Sequence, residues 1–233
     1  MPLLVRTWNL FHGNTVPSQR RAYLEEMIRL VTADAPAAVC LQEVPLWALR
    51  RLETWSGMTV HGVAAARPRL GSREVGRLVT RLHHGRLRSA FTGQANAILV
   101  DPSLRIEDER ALTVSSDGER RVCHSLRVDR RFVLCNFHVT GGLPADEQFA
   151  RVIDFANAQD ERVVLAGDAN LFPPSGASYA RLRELGFSEP APGIDQIVAR
   201  GLATTGPVVW ADDRRRLDVG LLSDHAPVEL TVE

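Results

Sequence analysis

The stretch RVVLAGDAN, residues 162–170, is an apolar run that ends in polar residues. A short run rich in Val and Leu is typical of a buried β-strand, and Asp168 and Asn170 then stand at its carboxyl end. Three other segments share the pattern: LLVRTWN at 3–9, AAVCLQE at 37–43 and RFVLCNFH at 131–138. They end at Asn9, Glu43 and His138, so strand ends collect the unusual polar side chains.

Helical patterns separate several of these strands. Apolar residues recur at helical spacing in residues 19–31, 45–55, 145–158 and 175–185, whereas residues 58–137 are mostly strand-like. The chain is therefore mixed α/β, with too many strands for one alternating βαβ sheet. Ligand sites in α/β proteins lie beyond the carboxyl ends of strands, where the polar residues collect here.

Length and composition are those of an ordinary globular protein. The 233 residues suit one sizeable domain spanning residues 1–233, and the 28 basic residues, all Arg, balance the 28 acidic ones. The sequence contains no apolar run of the ~18 residues that a membrane span needs and begins without a leader pattern. We expect a cytoplasmic protein with no obligate protein partner. An odd number of cysteines in apolar runs predicts reduced core residues at Cys40, Cys123 and Cys135.

Four acids stand at or near strand ends: Glu43, Asp168, Asp195 and Asp224. Two carboxylates ~4 Å apart repel by roughly 4 kcal/mol at an effective dielectric of about 20, so a cluster needs a cation, a proton or basic partners. Carboxylate and Asn oxygens suit Mg²⁺ or Mn²⁺. The zinc patterns HExxH and CxxC are absent from the sequence, and the adjacent His83 and His84 cannot easily point the same way on a strand.

Six short motifs occur in one order along the chain: TWN (7–9), LQEV (41–44), NFH (136–138), GDAN (167–170), IDQI (194–197) and LSDH (222–225). Each alone is weak, but together they resemble the endonuclease/exonuclease/phosphatase superfamily, which has the DNase I-like fold. QANAILV, residues 94–100, also looks like the central strand motif of that family. The resemblance covers nearly the whole chain.

The resemblance implies a four-layer α/β sandwich, in which two packed mixed β-sheets are flanked by helices and the site lies at one end of the sheets. It also implies a chemistry, the divalent-metal-dependent hydrolysis of a phosphate ester by in-line attack of water. Mg²⁺, or Mn²⁺ in its place, is the expected cofactor.

The resemblance also implies a role for each matching residue. Glu43 would be the principal metal ligand, with Asn9 and Asp224 nearby. Asp168 would orient or deprotonate the attacking water, and Asn170 would hold a phosphate oxygen. The transition state would be stabilised by two histidines, with an acid that orients the second: His138, His225 and Asp195.

Structural roles also account for several of these residues. Asn9 would cap the turn that follows it, Glu43 would favour the dipole of the next helix, and Asp168 with Asn170 would shape a turn. His12 lies close enough in sequence to the Asn9 strand end to approach the site, but the role of a loop histidine is favoured for it. Strand patterns predict structural roles for Asn136, His61 and His124.

One stretch of the chain is basic, residues 67–88. It predicts an amphipathic helix with a stripe of Arg73, Arg77 and Arg81, which suits either contact with a phosphate backbone or a solvated helix face. A second arginine-rich segment, DDRRRLD at 212–218, is expected to be a self-compensating surface loop.

The sequence therefore predicts a metal-dependent phosphodiesterase with a phosphate-ester substrate. Because of the arginine stripe, a nuclease or DNA-processing hydrolase is favoured over a hydrolase of a small phosphorylated metabolite or lipid headgroup. An inactive nucleic-acid-binding module of the same fold is the alternative from another class, and such a module would not need these acids and histidines. Tyr23 falls on a helix core face, so the active-site Tyr of some nucleases in this family has no clear counterpart.

Overall fold

The computed structural model describes residues 2–66 and 92–233 and contains two large β-sheets. The first sheet has six strands in the order β11-β14-β1-β3-β5-β4. Their bounds are Leu3–Asn9 (β1), Ala38–Pro45 (β3), Thr59–Ala66 (β4), Gln94–Val100 (β5), Thr204–Val209 (β11) and Val228–Val232 (β14).

The second sheet has five strands in the order β10-β9-β8-β7-β6. Their bounds are Ile106–Ser115 (β6), Arg121–Val128 (β7), Phe132–His138 (β8), Val163–Asp168 (β9) and Asp195–Arg200 (β10). Both sheets are mixed, since β1 pairs with β3 and β8 pairs with β9 in parallel, while the other strand pairs are antiparallel. A small third sheet joins Thr15–Val16 (β2), Arg216–Leu217 (β12) and Gly220–Leu222 (β13).

Helices cover the outer face of each large sheet. Leu24–Thr32 (α1) and Leu49–Ser56 (α2) pack with apolar residues of β1, β3 and β5, whereas Ala145–Asn157 (α3) and Ala177–Glu184 (α4) pack with those of β6 to β10. A third apolar cluster, which includes Val5, Ile98, Leu134 and Ile197, joins the facing sides of the two sheets. These layers confirm the four-layer α/β sandwich.

The first two helices begin later than their sequence patterns predicted. The helix predicted at 19–31 is Leu24–Thr32, and the one predicted at 45–55 is Leu49–Ser56, because β3 continues through Pro45. The two later helices lie within two residues of their predicted bounds. The predicted arginine-stripe helix, with Arg73, Arg77 and Arg81, and the pair His83 and His84 lie outside the described residues.

Asn136 connects the two large sheets. Its side-chain amide, on β8, donates to the carbonyl oxygens of Leu41 (3.0 Å) and Ala97 (2.8 Å) on the first sheet, and its Oδ1 accepts from Gln42 Nε2 at 2.8 Å. Gln42 also donates to Thr7 Oγ1 at 3.0 Å. The otherwise apolar interface between the two sheets therefore contains a small hydrogen-bonded network. The structural role predicted for Asn136 is confirmed.

Two further sequence expectations concern the core and the membrane. All three cysteines are buried and unbridged, as expected. Among the helices of residues 2–66 and 92–233, none has the length and apolar character required to cross a membrane.

Candidate active site

The polar strand ends of both sheets meet at one end of the molecule. Asp168 at the end of β9 is in register with His138 at the end of β8 and with Asp195 at the start of the antiparallel β10. Asn9, the last residue of β1, reaches the same point from the first sheet, since its Nδ2 donates to Asp168 Oδ2 at 2.9 Å. The pattern of apolar runs ending in polar residues thus brings distant parts of the chain into contact.

Asp168 is the buried centre of this group. Its Oδ1 accepts from the backbone N–H of Asn170 at 2.8 Å, and His138 Nε2 lies 3.4 Å from its Oδ2. Burial, together with the charge of Asp195, raises the pKa of Asp168 to about 7, although nearby donors and His225 oppose the rise. A carboxyl group with such a pKa changes its protonation near neutral pH, as a general base needs to.

Asn9 caps the turn that follows it, as its structural role predicted, and also contacts Asp168. Its Oδ1 accepts from the backbone N–H of Phe11 at 3.0 Å and so caps the turn after β1, while its amide faces Asp168. An amide oxygen has two lone pairs, so the turn leaves one acceptor position on Asn9. Its role as a metal ligand stays a prediction.

Glu43 is presented by an irregularity in β3. The pairing of β3 with β5 shifts register between Leu41 and Val44, and Glu43 has a φ of 54°, which is uncommon for a residue with a side chain. Such bulges and left-handed residues are frequent at functional sites. Burial raises the pKa of Glu43 to about 7, against the positive charges of Arg121 and His225.

His12 lies in a loop at this end of the molecule, so the less favoured alternative, that it approaches the site, is the one the structure shows. The residue is buried in the turn at Phe11–Gly13, with a φ of 52°, and its Nε2 lies 3.3 Å from Glu43 Oε2. The sequence contained a signal for this position, since His12 follows Asn9 by three residues. A loop that returns to its own strand end brings its side chains back to the site.

His225 is paired with Asp195, as the sequence predicted. Its Nδ1 lies 2.7 Å from Asp195 Oδ2, and its Nε2 lies 3.8 Å from Asp224 Oδ1. Burial disfavours the charged imidazole, but the hydrogen bond and charge of Asp195, with Asp168 and Asp224, raise the pKa of His225 to about 9. The imidazole is therefore a cation at neutral pH. Asp224 is the exposed member of the group, with 44% of its side chain accessible.

The loop that carries Asp224 and His225 is held by buried hydrogen bonds. Ser223 is fully buried with a φ of 62°, and its Oγ donates to the carbonyl oxygen of Asn9 at 2.7 Å. Arg215 donates to the carbonyl oxygens of Leu222 (3.1 Å) and Ser223 (2.9 Å). The expectation of a surface loop at 212–218 is wrong for Arg215, whose side chain is buried because it donates to these carbonyls. Arg215 also pairs with Asp212 within the segment, as a self-compensating loop would.

Arg121 is a site residue that the sequence analysis missed. The side chain is buried at the first position of β7, where Nη1 lies 3.0 Å from His138 Nδ1 and Nη2 lies 3.0 Å from Glu119. Burial, together with the charges of Arg121, His225 and His12, holds the pKa of His138 well below its usual range. Its neighbour Arg120 is exposed, and no local pattern distinguishes the two arginines.

Asn170 directs its amide into the neighbouring loop. Its Nδ2 donates to the carbonyl oxygen of Val139 at 3.0 Å, and the residue has a φ of 47°. Since an amide carries two N–H donors, one remains for a ligand. The predicted contact of Asn170 with a phosphate oxygen stays a prediction.

The oxygens at this end of the sheets fit a hard cation. One ligand atom each of Asp168, Asp195 and His225 lie within 4.8 Å of one another, and Asp195 Oδ1 is buried without a hydrogen-bond partner in the described chain. A protonated imidazole cannot ligate a metal, so we interpret His225 within this trio as the counter-ion of the acids. Glu43 lies outside that trio. Its carboxylate and the oxygens of Asn9 and Asp224 are the type of ligand that Mg²⁺ and Mn²⁺ prefer, and the role of these three residues as ligands stays a prediction.

Comparisons with known proteins agree with this geometry. The model of the Endonuclease/Exonuclease/phosphatase family matches residues 7–225. An endonuclease/exonuclease/phosphatase from Beutenbergia cavernae DSM 12333 superposes with a TM-score of 0.73 at 16% identity, covering 100% of this chain and 71% of the other. A protein of the same description from Bacteroides vulgatus gives 0.72 at 14%, covering 100% and 99%.

Proteins with a more specific name share the fold as well. A humanized D. rerio TDP2 gives a TM-score of 0.66 at 15% identity, covering 100% of this chain and 99% of the other. A comparison with curated proteins gave no match. The structural matches show the fold, and the family model extends over all six motifs.

Proposed function

Because the chain belongs to the Endonuclease/Exonuclease/phosphatase family, we propose that it is a divalent-metal-dependent phosphodiesterase that hydrolyses its substrate by in-line attack of water. The activities in the family's name all cleave phosphate esters. The observation that carries the proposal is the convergence of Asn9, Asp168 and the Asp195–His225 pair at one end of both sheets. An inactive binding module would have no need of this buried and costly group of charges.

In this proposal, Glu43 holds Mg²⁺ or Mn²⁺ with Asn9 and Asp224. The cation, when bound, supplies positive charge that polarises the phosphate and acidifies water. Few protein ligands are required, because Mg²⁺ keeps several of its waters. The burial of Glu43, which raises its pKa to about 7, makes binding of the cation compete with a proton at neutral pH.

Asp168 orients the attacking water and accepts its proton. His225, a cation held by Asp195, stabilises the negative charge that builds on the phosphate oxygens and donates a proton to the leaving oxygen. Asn170 uses one amide N–H to bond the carbonyl of Val139 and donates the second to a phosphate oxygen. Each of these groups is fixed by hydrogen bonds before substrate arrives, which lowers the cost of reorganisation in the transition state.

One assay tests the proposal. The protein is incubated with Mg²⁺ or Mn²⁺ and plasmid DNA, single-stranded DNA, RNA, an activated phosphodiester and inositol phosphates, in parallel with Asp168→Ala. We expect metal-dependent turnover that Asp168→Ala reduces about 10²–10⁴-fold in kcat, the usual contribution of a general base. The matched control is Asp117→Ala, at an exposed residue. Absence of turnover on every substrate, or turnover that Asp168→Ala leaves intact, would contradict the proposal.

Nucleic acid is the substrate that we put first, because the chain carries the sequence stripe of Arg73, Arg77 and Arg81. Replacing these three residues with Gln is expected to weaken binding of labelled DNA and to lower the salt dependence of binding by about one unit of slope per lost phosphate contact. The control is Arg181→Gln with Arg183→Gln. Unchanged binding and an unchanged slope would contradict contact between the stripe and nucleic acid, and the turnover assay would then decide between nucleic acid and a small phosphate ester.

A further inference from the structure

The guanidinium of Arg121 directly contacts a nitrogen of the His138 ring. Arg121 Nη1 lies 3.0 Å from His138 Nδ1, inside the protein. On its other side, Nη2 lies 3.0 Å from Glu119, whose second carboxylate oxygen accepts from Gln94 at 2.6 Å. These contacts set the orientation of Arg121 toward the histidine.

This contact determines where the proton of His138 lies. An arginine has only N–H donors and is always charged, so His138 Nδ1 has to be the acceptor. In a neutral imidazole one nitrogen accepts and the other carries the hydrogen, which places the hydrogen of His138 on Nε2. That nitrogen lies 3.4 Å from Asp168 Oδ2, on the side of the reacting groups.

Protonation of both nitrogens would place the N–H of His138 against a guanidinium N–H. One acidic group, Asp168, lies near His138. The positive charges near it are those of Arg121 and of His225 and His12 in their protonated forms. Burial and these positive charges lower the pKa of His138, in agreement with the hydrogen-bond argument. The contact with Arg121 therefore favours a neutral His138 whose single ring hydrogen is on Nε2.

We propose that Arg121 is a positioning residue that keeps His138 neutral with its hydrogen on Nε2, so that His138 binds a phosphate oxygen as a hydrogen-bond donor. The catalytic part of this statement rests on the proposed phosphodiesterase function. The statement about the tautomer concerns the protein without substrate and stands independently.

The tautomer can be measured by nitrogen-15 NMR of histidine-labelled protein near neutral pH, without metal or substrate. The His138 signals are assigned by their loss in His138→Gln. We expect the pattern of a neutral ring with its hydrogen on Nε2 in the wild type. In Arg121→Met, which has no donor, we expect a population with the hydrogen on Nδ1 or with both nitrogens protonated.

Three variants keep the test decisive. Arg120→Met removes the exposed neighbouring arginine and is expected to leave the His138 pattern unchanged. Arg121→Lys keeps a charged donor and is expected to restore the Nε2–H form at least in part. Glu119→Gln keeps Arg121 but weakens its anchor, so it tests the same contact if Arg121→Met does not fold, which circular dichroism would reveal.

Kinetics separate positioning from a purely structural role. At saturating metal, Arg121→Met is expected to lower kcat about 10²-fold while KM changes by less than about threefold, because the lost interaction acts in the transition state. A wild-type His138 with its hydrogen on Nδ1, or a tautomer unaffected by Arg121→Met and Glu119→Gln, would overturn the inference while leaving metal-dependent hydrolysis intact. If no substrate is cleaved, the proposed function fails and the NMR result still decides the role of Arg121.

Discussion

The raised pKa of His225 depends on one carboxylate, that of Asp195. Burial alone would favour the neutral imidazole, yet the pKa of His225 is about 9 because Asp195 Oδ2 lies 2.7 Å from its Nδ1. In the same site, Arg121 lies beside the corresponding ring nitrogen of His138, Nδ1, and the pKa of His138 is lowered. The nature of the partner, rather than the type of residue, sets the state of each histidine.

Asp195→Asn therefore tests the role of His225. The variant is expected to lower the pKa of His225 below about 9 and to shift the alkaline limb of the pH–rate profile toward lower pH. We expect kcat to fall about 10²–10⁴-fold, the range for loss of an acid catalyst or its orienting group. The profile of kcat against pH measures both effects, and Asp213→Asn, at an exposed residue, is the control. An alkaline limb that does not move would assign the acid to another group.

At the scale of the element, the bulge in β3 presents Glu43 and the amide of Asn136 joins the sheets. The sequence predicted that a strand ends near Glu43, because a short apolar run that ends in polar residues is a local signal. It did not predict the register shift between Leu41 and Val44, since a bulge depends on the partner strand. For the same reason β3 extends through Pro45, where the sequence favoured a helix.

Asn136→Leu tests the polar connection between the sheets. The side chain keeps its approximate volume but loses the bonds to Leu41, Ala97 and Gln42, so buried polar groups lose partners. We expect the free energy of unfolding to fall by about 2–4 kcal/mol, because several bonds of one network are lost together. Urea unfolding measures the loss. The control is Asn157→Leu at a half-buried helix end, which loses a single hydrogen bond, from Arg200, and is expected to cost less than Asn136→Leu. Equal losses in the two variants would show that the interface does not depend on Asn136.

At the scale of the whole molecule, the site makes stability depend on pH and metal. Folding raises the pKa of Glu43 and Asp168 to about 7 and that of His225 to about 9, so the folded protein binds protons more tightly than the unfolded chain. The stabilisation from His225 is complete below about pH 6.5 and is lost as pH rises toward about 9. The two carboxyl groups lower stability progressively as pH rises from about 4 to about 7.

We therefore expect the melting temperature of the metal-free protein to fall by about 5–10 °C between about pH 6 and about pH 9. Millimolar Mg²⁺ should recover most of this loss, because a cation that binds the ionised site stabilises the folded state. Differential scanning fluorimetry with a chelator or with Mg²⁺ measures both. Glu43→Gln should lessen both the pH dependence and the response to Mg²⁺, whereas Glu53→Gln, on an exposed face of α2, should change neither. A metal-free melting temperature that rises over this range would contradict the assignment of these groups.

Much of the whole fold and part of the site followed from the sequence. The strand-end pattern predicted a mixed α/β chain with polar residues collected at strand ends, and the family resemblance of the six motifs implied the four layers and a site at one end of the sheets. Arg121 could not be selected in this way, and His12 was indicated only by its separation of three residues from Asn9. A buried arginine is distinguished from its exposed neighbour only by what the fold places beside it, and the turn that returns His12 to Glu43 depends on the left-handed backbone at His12.

The pairing of β14 with β1 also governs when the protein acquires its chemistry during translation. The ribosome completes Asn9, Glu43 and Asp168 well before Asp224 and His225, and Ser223, which joins the two groups, contacts Asn9 across 214 positions of chain. A nascent polypeptide that has not yet delivered β14 lacks a central strand of its first sheet as well as the acid and imidazole that precede it. The proposed site is therefore incomplete until the segment that carries Asp224, His225 and β14 has been synthesised.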